Sequence, residues 1–404
     1  MSAAISKVRG FLYLPRNTWV LNSTSALWSV GGYMASPFQV LYFAALGATP
    51  FQIGLLVAYS TGIAIMTMII GGYLADSWSR RKPIVIFSWL SVLGSLLFVL
   101  VNSDFLIIIP LTLTSAANIY TPAFNSIMMD EIEPQKRIRV FSIAGALSAA
   151  PGIFMPTVGG LFLSHFGTLG GARIDYLCNC LFGVVAVSLR TVMLKDVFIP
   201  GATEVKGIGS RIGESFVGGV KSVRRSNSAV KRLLIYVALT GVGTGLTSTL
   251  VPLFAIKHLS INPTDYSFVV DISGLVTVCL YLVLVFLIER IGARRSILLS
   301  SVASSVSNVF LTQAKNANEL VGWGVSTAFY TVLLSPSLSA VQAETIPRQD
   351  RGKILAVFGV LPNVAALPSQ ILAGLLYSGV SPVAPFLLSL LPFTVAAVLL
   401  YSIE

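Results

Sequence analysis

Charged residues are scarce in this chain. Only 11% of its 404 residues are Asp, Glu, Lys or Arg, whereas a soluble protein carries about 25%. Apolar residues make up 55%, and the mean hydropathy is +0.83. A soluble core could not use so much apolar surface, so the excess must face lipid. The composition therefore excludes a soluble globular protein.

Side chains that carry chemistry are also few. The two histidines, His165 and His258, lie at the ends of apolar runs, and no HExxH, GxSxG or phosphate-binding loop occurs. Of the three cysteines, Cys178 and Cys180 are two residues apart and point to different sides of a helix. This spacing favours packing over metal binding. An enzyme is disfavoured, and we expect no metal and no cofactor.

The apolar residues are grouped in long runs. "IVIFSWLSVLGSLLFVLV" and "GLVTVCLYLVLVFLI" contain no charge and approach the ~20 residues that a helix needs to cross ~30 Å of hydrocarbon. They lack the alternation of transmembrane strands. We predict an all-α membrane protein, with the first span tilted or bent because it is long. The twelve predicted transmembrane helices are 17–45, 51–75, 83–102, 105–129, 138–166, 172–194, 232–257, 264–288, 294–314, 318–342, 352–377 and 384–402.

The net charge of +11 is unevenly distributed. With an even number of spans, both termini lie on one side. Segments on that side hold 23 Lys and Arg, and the opposite loops hold three, Arg173, Lys257 and Lys315. The positive-inside rule then places both termini in the cytoplasm of a multi-pass cell-membrane protein. The charge predicts topology and attraction to lipid headgroups, not nucleic-acid binding. We expect a monomer.

The chain also contains a duplication. The longest polar connection, 195–231, separates six predicted spans in 1–194 from six in 232–404. Within it, Ile208, Ile212, Phe216 and Val220 recur every four residues. This spacing is typical of an amphipathic helix on the membrane surface, and a flexible linker is the alternative. Landmarks repeat at an offset of 213 or 214: Pro50 with Pro263, Asp76 with Glu289, Pro134 with Pro347 and Gly160 with Gly374. We predict two pseudo-symmetric six-helix bundles, an architecture of secondary transporters.

One loop carries a family resemblance. "GGYLADSWSRRKP" at 71–83 has Gly72, Leu74, Ala75, Asp76, Arg80, Arg81 and Lys82, and "IERIGARR" in the second half has Glu289, Arg290, Gly292, Arg294 and Arg295. With "LGATPFQIG" and "ETIPRQDRG", these stretches resemble the major facilitator superfamily across the whole chain. The resemblance implies a gating latch that closes the cytoplasmic side. Its residues are Gly72, Asp76, Arg80, Arg81, Glu289, Arg290 and Arg294. The bland alternative is a topology signal only.

The resemblance also implies that the first, fourth, seventh and tenth helices line a solute cavity. Each carries small or polar side chains at spacings of three and four, which share one helix face. Interhelical packing is the alternative use of such residues. The candidate solute-binding residues are Asn22, Ser25, Trp28, Ser29, Asn118, Thr121, Asn125, Thr240, Thr244, Thr327, Tyr330 and Thr331.

Few charges fall inside the spans. Asp271 lies about two turns into the eighth span, which makes it a candidate proton or cation site or a group near the outer mouth. Arg173 and Asp175 are expected to form an exposed local pair. Arg190 is assigned to the end of the sixth span. We therefore expect no interior Arg or Lys to bind a strongly anionic solute. Departures from exporter patterns at Pro110 and Thr114 weaken, without excluding, a proton antiporter.

These observations leave three functions open. The first is a secondary transporter of a small neutral, amphipathic or cationic organic solute that works by alternating access, with proton coupling and drug-like efflux both open. The second is an uptake symporter or facilitator for a neutral metabolite. The third is a non-transporting membrane sensor, although no loop is long enough for a soluble sensor domain.

The latch can be tested at Asp76. A charge near a helix N-terminus contributes ~0.3–1 kcal/mol when exposed and up to ~2 when partly buried, and ~1.4 kcal/mol is tenfold in an equilibrium constant. Asp76→Asn should therefore reduce the outward-open population several-fold or more, and cysteine reporters in the cytoplasmic cavity should become more reactive. Lys82→Gln is the control because it removes charge from the same loop. Equal, small changes in both variants would contradict the latch.

Overall fold

The computed structural model describes residues 15–77, 79–132, 145, 147–196, 221–346 and 351–401. Within these ranges, the description leaves out the side chains at 73, 75–77, 129, 130, 282–289, 343, 351–353, 356 and 401. The described residues form helices joined by short turns, and no strand occurs among them. The prediction of an all-α protein is confirmed. The predicted amphipathic helix lies outside the described residues, since 197–220 are not among them.

The helices up to residue 196 are called the first half. They are α1 Arg16–Ala35, α2 Gln39–Ala45, α3 Pro50–Ser77, α4 Arg81–Leu100, α5 Ile108–Ala116, α6 Thr121–Glu131 and α7 Met155–Met193. Within α7, Gly167 has φ 74° and ψ 163°, which are not helical. Glycine adopts this positive φ because it has no Cβ. The fifth and sixth predicted spans are therefore two helices joined at Gly167.

The helices from residue 221 onwards are called the second half. They are α8 Ser228–Thr247, α9 Val251–Leu253, α10 Pro263–Ile291, α11 Ala293–Gln313, α12 Ala317–Thr345, α13 Arg351–Gly379, α14 Ala384–Leu388 and α15 Leu390–Tyr401. In the described part of the chain, seven helical stretches are long and apolar enough to cross a membrane. The count of twelve spans stays a prediction.

The helix positions repeat between the halves. Helices of the two halves begin 212 or 213 residues apart, at Arg16 and Ser228, Pro50 and Pro263, Arg81 and Ala293, and Phe105 and Ala317. A left-handed turn residue repeats too: Gly47 has φ 102° and Ser260, 213 residues later, has φ 56°. The duplication read from sequence landmarks is therefore present in the fold as two related halves.

The first predicted span is broken, as its length suggested. A 3-10 turn at Ser36–Phe38 separates α1 from α2, with Pro37 at its centre. The equivalent span in the second half breaks after Thr247, and Pro252 follows in α9. Proline has no N–H and cannot donate to the carbonyl four residues before it. Both breaks lie at related positions, because Ser36 and Ser248 are 212 residues apart.

The two halves meet along what we call the remote seam, formed by α3 against α13 and α7 against α10 at the ends away from the chain termini. A Cβ at Gly374 would lie 2.5 Å from the Pro50 carbonyl oxygen, and a Cβ at Gly160 would lie 2.8 Å from the Pro263 carbonyl oxygen. These are symmetry-related contacts of the duplication. Real Cβ atoms do not approach so closely, so both glycines are needed for closure of the seam.

Filling one of these glycines should open the seam. Gly374→Ala places a methyl group against backbone atoms of Pro50 and Phe51, and such overpacking costs about 1–3 kcal/mol. The seam-open population should therefore rise by about tenfold. A single cysteine at Thr247, which lines the internal cavity described below, should react faster with a membrane-impermeant maleimide added from the remote side.

Gly359→Ala is the matched control. Gly359 lies on the same helix, a Cβ there would meet nothing within 4 Å, and both changes bring the same gain in helix propensity. Equal labelling rates in the two variants would contradict the role of Gly374 in closure.

Candidate functional site

A cavity of about 400 Å³ lies between α1 of the first half and several helices of the second half. A volume of this size is typical of sites for small organic ligands. It is lined by Tyr33, Ser36, Pro37, Thr244, Thr247, Ser248, Val251, Pro252, Tyr266, Val270, Ser304, Ser307, Asn308, Trp323, Thr327, Tyr330 and Phe393. Both helix breaks reach it, through Ser36 and Pro37 and through Ser248 and Pro252.

Hydroxyl groups form one wall of the cavity. Most of them donate their proton to a carbonyl of their own helix: Thr244 Oγ1 to Thr240 O at 3.0 Å, Thr247 Oγ1 to Gly243 O at 3.1 Å, and Thr327 Oγ1 to Trp323 O at 2.9 Å. Ser307 Oγ contacts both Trp323 O at 3.1 Å and Thr327 Oγ1 at 2.7 Å. Helix carbonyls thus hold the hydroxyl protons, and the oxygen lone pairs remain.

Asn308 adds a carboxamide to this wall. Only 4% of the residue is exposed, and its Nδ2 donates to Ser304 O at 3.0 Å. Its oxygen accepts no hydrogen bond from any residue that the structure describes. A buried polar group of this kind is normally bonded. Its position in the cavity lining therefore marks a place where a solute donor fits.

Aromatic rings form the facing surface. The Tyr330 and Phe393 rings meet edge to face with centroids 6.0 Å apart, and Trp323 and Tyr33 also line the cavity. Towards the remote seam, Tyr266 packs edge to face against Phe38 of the first half with centroids 6.3 Å apart. No Asp, Glu, Lys, Arg or His is among the described residues that line the cavity.

The predicted solute-binding residues are divided by the structure. Thr244, Thr327 and Tyr330 line this cavity. Thr240 is buried within the second half, and Thr331 donates to Thr327 O outside the lining. The first-half candidates, none of which is in the lining, are Asn22, which donates to Thr18 O; Ser25, which binds Arg190; Trp28, which donates to Asn179; Ser29, which donates to Ala26 O; Asn118, which donates to Ser115 O; and Thr121 and Asn125.

Several lining residues were not anticipated. Ser304, Ser307 and Asn308 belong to α11, and Phe393 belongs to α15, whereas the resemblance directed attention to four other spans. The signal was present as the stretch "SSVASSVSN" at 300–308. Its buried members are Ser300, Ser301, Ser304, Ser307 and Asn308. Serines this frequent in a membrane helix indicate an inward-facing polar side.

Arg190 is an interior cation, so the expectation that no interior Arg or Lys exists is wrong. It is 1% exposed. Its Nε donates to Thr24 Oγ1 at 2.9 Å, its Nη1 to Ser88 Oγ at 3.0 Å and its Nη2 to Ser25 Oγ at 2.8 Å. The rings of Trp28 and Tyr120 lie 5.5 and 5.9 Å from its Cζ. Hydroxyls and π faces, not a carboxylate, offset its desolvation in the described part of the chain.

The expected exposed pair of Arg173 and Asp175 is also wrong. Asp175 is 0% exposed, and neither of its carboxylate oxygens has a hydrogen-bond partner. Arg173 donates instead to Val101 O at 2.8 Å and to Asn102 Oδ1. Residues two apart on a helix do not face each other. Asp175 therefore points into the first half and Arg173 towards the turn after α4.

Asp271 lies on α10 at the remote seam. It is 8% exposed, and Thr157 of α7 lies opposite its carboxylate. Neither Asp271 Oδ1 nor Thr157 Oγ1 makes a hydrogen bond. The carboxyl group is therefore desolvated between two helices of different halves.

The predicted latch residues lie at the opposite end of the helices. Arg81 Nη2 donates to Thr191 O at 2.6 Å, and Arg294 Nη2 lies 3.7 Å from Glu344 Oε1. Each of these partners belongs to the same half as its arginine. Gly72 has open space around it, whereas a Cβ at the neighbouring Gly71 would lie 2.2 Å from Ile119 O. Gly71 therefore permits the close helix approach.

Arg80 and Arg290 lie at the same end. The side chains of Asp76 and Glu289 are outside the described residues.

Comparison with known proteins places the chain among transporters. The family model for the Major Facilitator Superfamily matches residues 23–258 and 233–404. The chain is 21% identical over 307 residues to the uncharacterized MFS-type transporter YqjV of Bacillus subtilis (strain 168), covering 74% of this chain and 72% of that protein.

Solved structures share the fold. The nucleoside transporter NupG aligns with a TM-score of 0.76 at 16% identity over 95% of this chain and 99% of its own. A POT family transporter in complex with a thioalcohol-conjugated peptide aligns with a TM-score of 0.77 at 15% identity over 98% and 96%.

Proposed function

We propose, from the premise that this chain belongs to the major facilitator superfamily of membrane secondary transporters, that it moves a small neutral, amphipathic or cationic organic solute by alternating access. The observation that carries the proposal is the uncharged cavity between the halves, bounded by a seam with symmetry-related contacts. Rocking of one half against the other would part the remote seam and expose the cavity. Efflux and uptake are both compatible with this geometry, and the solute is its small-molecule partner.

The seam offers a direct test of alternating access. Ser164 Oγ of α7 and Thr264 Oγ1 of α10 lie 3.1 Å apart across it. With Cys178, Cys180 and Cys279 replaced, Ser164→Cys and Thr264→Cys should form a crosslink on oxidation that holds the seam closed. A third cysteine at Thr247 should then lose reactivity towards an impermeant maleimide from the remote side, and a reductant should restore it.

Ser95→Cys with Asn179→Cys is the matched control pair. It joins two helices of the same half, whose Asn179 Nδ2 and Ser95 Oγ lie 3.1 Å apart, and should leave the Thr247 reporter unaffected. If the seam crosslink forms and the reporter stays reactive, the proposed motion is wrong. The proposed orientation, with both termini cytoplasmic, requires that a cysteine at position 168 be labelled from outside the cell.

We also propose that Asp271 couples the seam to protons. A neutral carboxyl group costs less to bury than a carboxylate, and Asp271 is buried only while the seam is closed against Thr157. Proton binding should therefore favour the closed seam, and proton release should favour its opening. The proton is thus the proposed coupling ion, and a second cation at this carboxylate is the alternative.

Asp271→Asn fixes the neutral form. Labelling of the Thr247 reporter from the remote side should rise from pH 5 to pH 8 in the parent protein, and should stay low and independent of pH in Asp271→Asn. Asp265→Asn is the matched control, because Asp265 is an exposed carboxylate in the first turn of the same helix, and it corrects for the reagent's own pH dependence. The same pH response in both variants would rule out Asp271 as the coupling group.

The latch proposal concerns the other end of the molecule. Gly72, Asp76, Arg80, Arg81, Glu289, Arg290 and Arg294 are proposed to close the terminal side when the remote seam opens. The contacts of Arg81 with Thr191 and of Arg294 with Glu344 stay within one half. Such contacts leave the two halves free to separate at this end while the remote seam is closed.

A further inference from the structure

We infer that α8, α11, α12 and α15 of the second half form a solute subsite for a neutral ring compound that presents several O–H or N–H donors along one edge. The inference rests on the proposed function, because it names the class of solute that the cavity would carry. Its position is specific: the polar wall comes from α11 and the ring of Phe393 from α15, in addition to the threonines of α8 and α12.

The polar wall is built to accept hydrogen bonds. Thr244, Thr247 and Thr327 have each given their only proton to a helix carbonyl, so each hydroxyl offers a solute lone pairs alone. The Asn308 oxygen is a further acceptor without a partner among the described residues. A solute must bring donors to match this wall, because an acceptor placed against it would leave both groups unpaired.

The broken helices add acceptors on the second side. Pro37 cannot donate to the Tyr33 carbonyl, and Pro252 cannot donate to the Ser248 carbonyl, because proline has no N–H. Tyr33 and Ser248 both line the cavity. Irregular backbone at membrane depth is tolerated where it lines a cavity, and its carbonyl groups are then open to a solute.

The aromatic surface decides the shape of the solute. Trp323, Tyr330 and Phe393 present large apolar areas opposite the hydroxyls. An open-chain polyol would leave these rings against polar groups, whereas a ring compound places donors on one edge and a flat, less polar face on the other. The two walls together therefore favour a ring.

Charge decides between a neutral and a cationic solute. Helix C-terminal ends attract a cation by only about 0.3–1 kcal/mol, whereas burying an unpaired ion costs several kcal/mol. The described lining contains no carboxylate to offset that cost. Asp271, next to the lining residue Val270, faces Thr157 across the seam instead. A neutral solute meets the acceptors of the wall without this penalty.

Two sets of matched compounds test the class. D-Glucose, D-glucosamine and D-glucuronate share a ring and differ in charge, as do uridine, 5′-amino-5′-deoxyuridine and uridine 5′-monophosphate. Thermal unfolding of the purified protein in detergent should shift upwards with concentration for the neutral member of at least one set. A charged member that binds as tightly as its neutral partner, or no shift with any of the six compounds, would overturn the inference.

Thr327→Val tests the wall while keeping the side chain's shape. Loss of one hydrogen bond, about 0.5–1.5 kcal/mol, should weaken binding of the neutral compound by about three- to tenfold. Thr312→Val is the matched control: Thr312 Oγ1 also donates to a helix carbonyl, that of Val309, but Thr312 is outside the cavity lining. Equal binding by the two variants would show that the compound does not bind this wall.

A change of preference gives a second, independent readout. Asn308→Asp introduces a carboxylate into the lining at a nearly unchanged volume. The variant should bind the ammonium member of a set more tightly than the neutral member, reversing the order of the parent protein. An unchanged order would place the compound elsewhere and overturn the inference.

The seam crosslink separates failure of this inference from failure of the proposed function. Its readout, protection of a cysteine at Thr247, involves no solute. Protection by the crosslink together with binding of charged compounds would remove the solute class and leave alternating access in place. Binding of a neutral compound with no protection would keep the subsite and remove the transport motion.

Discussion

The absence of water from hydrocarbon is the constraint on which this structure depends. Every backbone N–H and C=O inside the bilayer must be bonded within the protein, so helices span and irregular backbone is confined to places that line a cavity. The two breaks, at Ser36–Phe38 and after Thr247, are such places. They are related by the duplication and both reach the cavity. The position of the site follows from where the chain can afford to interrupt a helix.

Burial of charge obeys the same constraint with a different solution in each case. Arg190 is held by three hydroxyls and two rings within the first half, which fixes α1, α4 and α7 to one another. The related position in the second half is held by the neutral Tyr236, whose hydroxyl lies 3.0 Å from Ser301 Oγ. The first half is thus fixed internally by a cation, whereas Asp271 lies between the halves. A charge inside one half stabilises a rigid body, and a carboxylate between two halves responds to their separation.

Much of the fold follows from sequence alone, because length and hydropathy determine where a helix can span. Predicted starts such as 51, 264 and 294 lie within one residue of the observed Pro50, Pro263 and Ala293. Thr244, Thr327 and Tyr330 were also accessible, since helical spacing identifies one face. Arg190 was not, because an arginine near a span end has the same local pattern whether it faces lipid headgroups or three hydroxyls of other helices. The orientation of α11 likewise depends on which neighbours it meets.

Duplication makes closure of the remote seam a paired event. Gly374 accommodates the Pro50 carbonyl, and Gly160 accommodates the Pro263 carbonyl, so each half supplies one glycine and one proline. Such contacts need only small residues and exposed carbonyls, with no strong bond to break. Hydroxyl contacts such as Ser164 with Thr264 are worth about 1 kcal/mol each. A seam held by close packing and weak bonds is closed to water yet separates at a modest cost. The energy that a solute gains by pairing with the acceptors of the cavity is of similar size, so binding is able to shift the balance between the two arrangements.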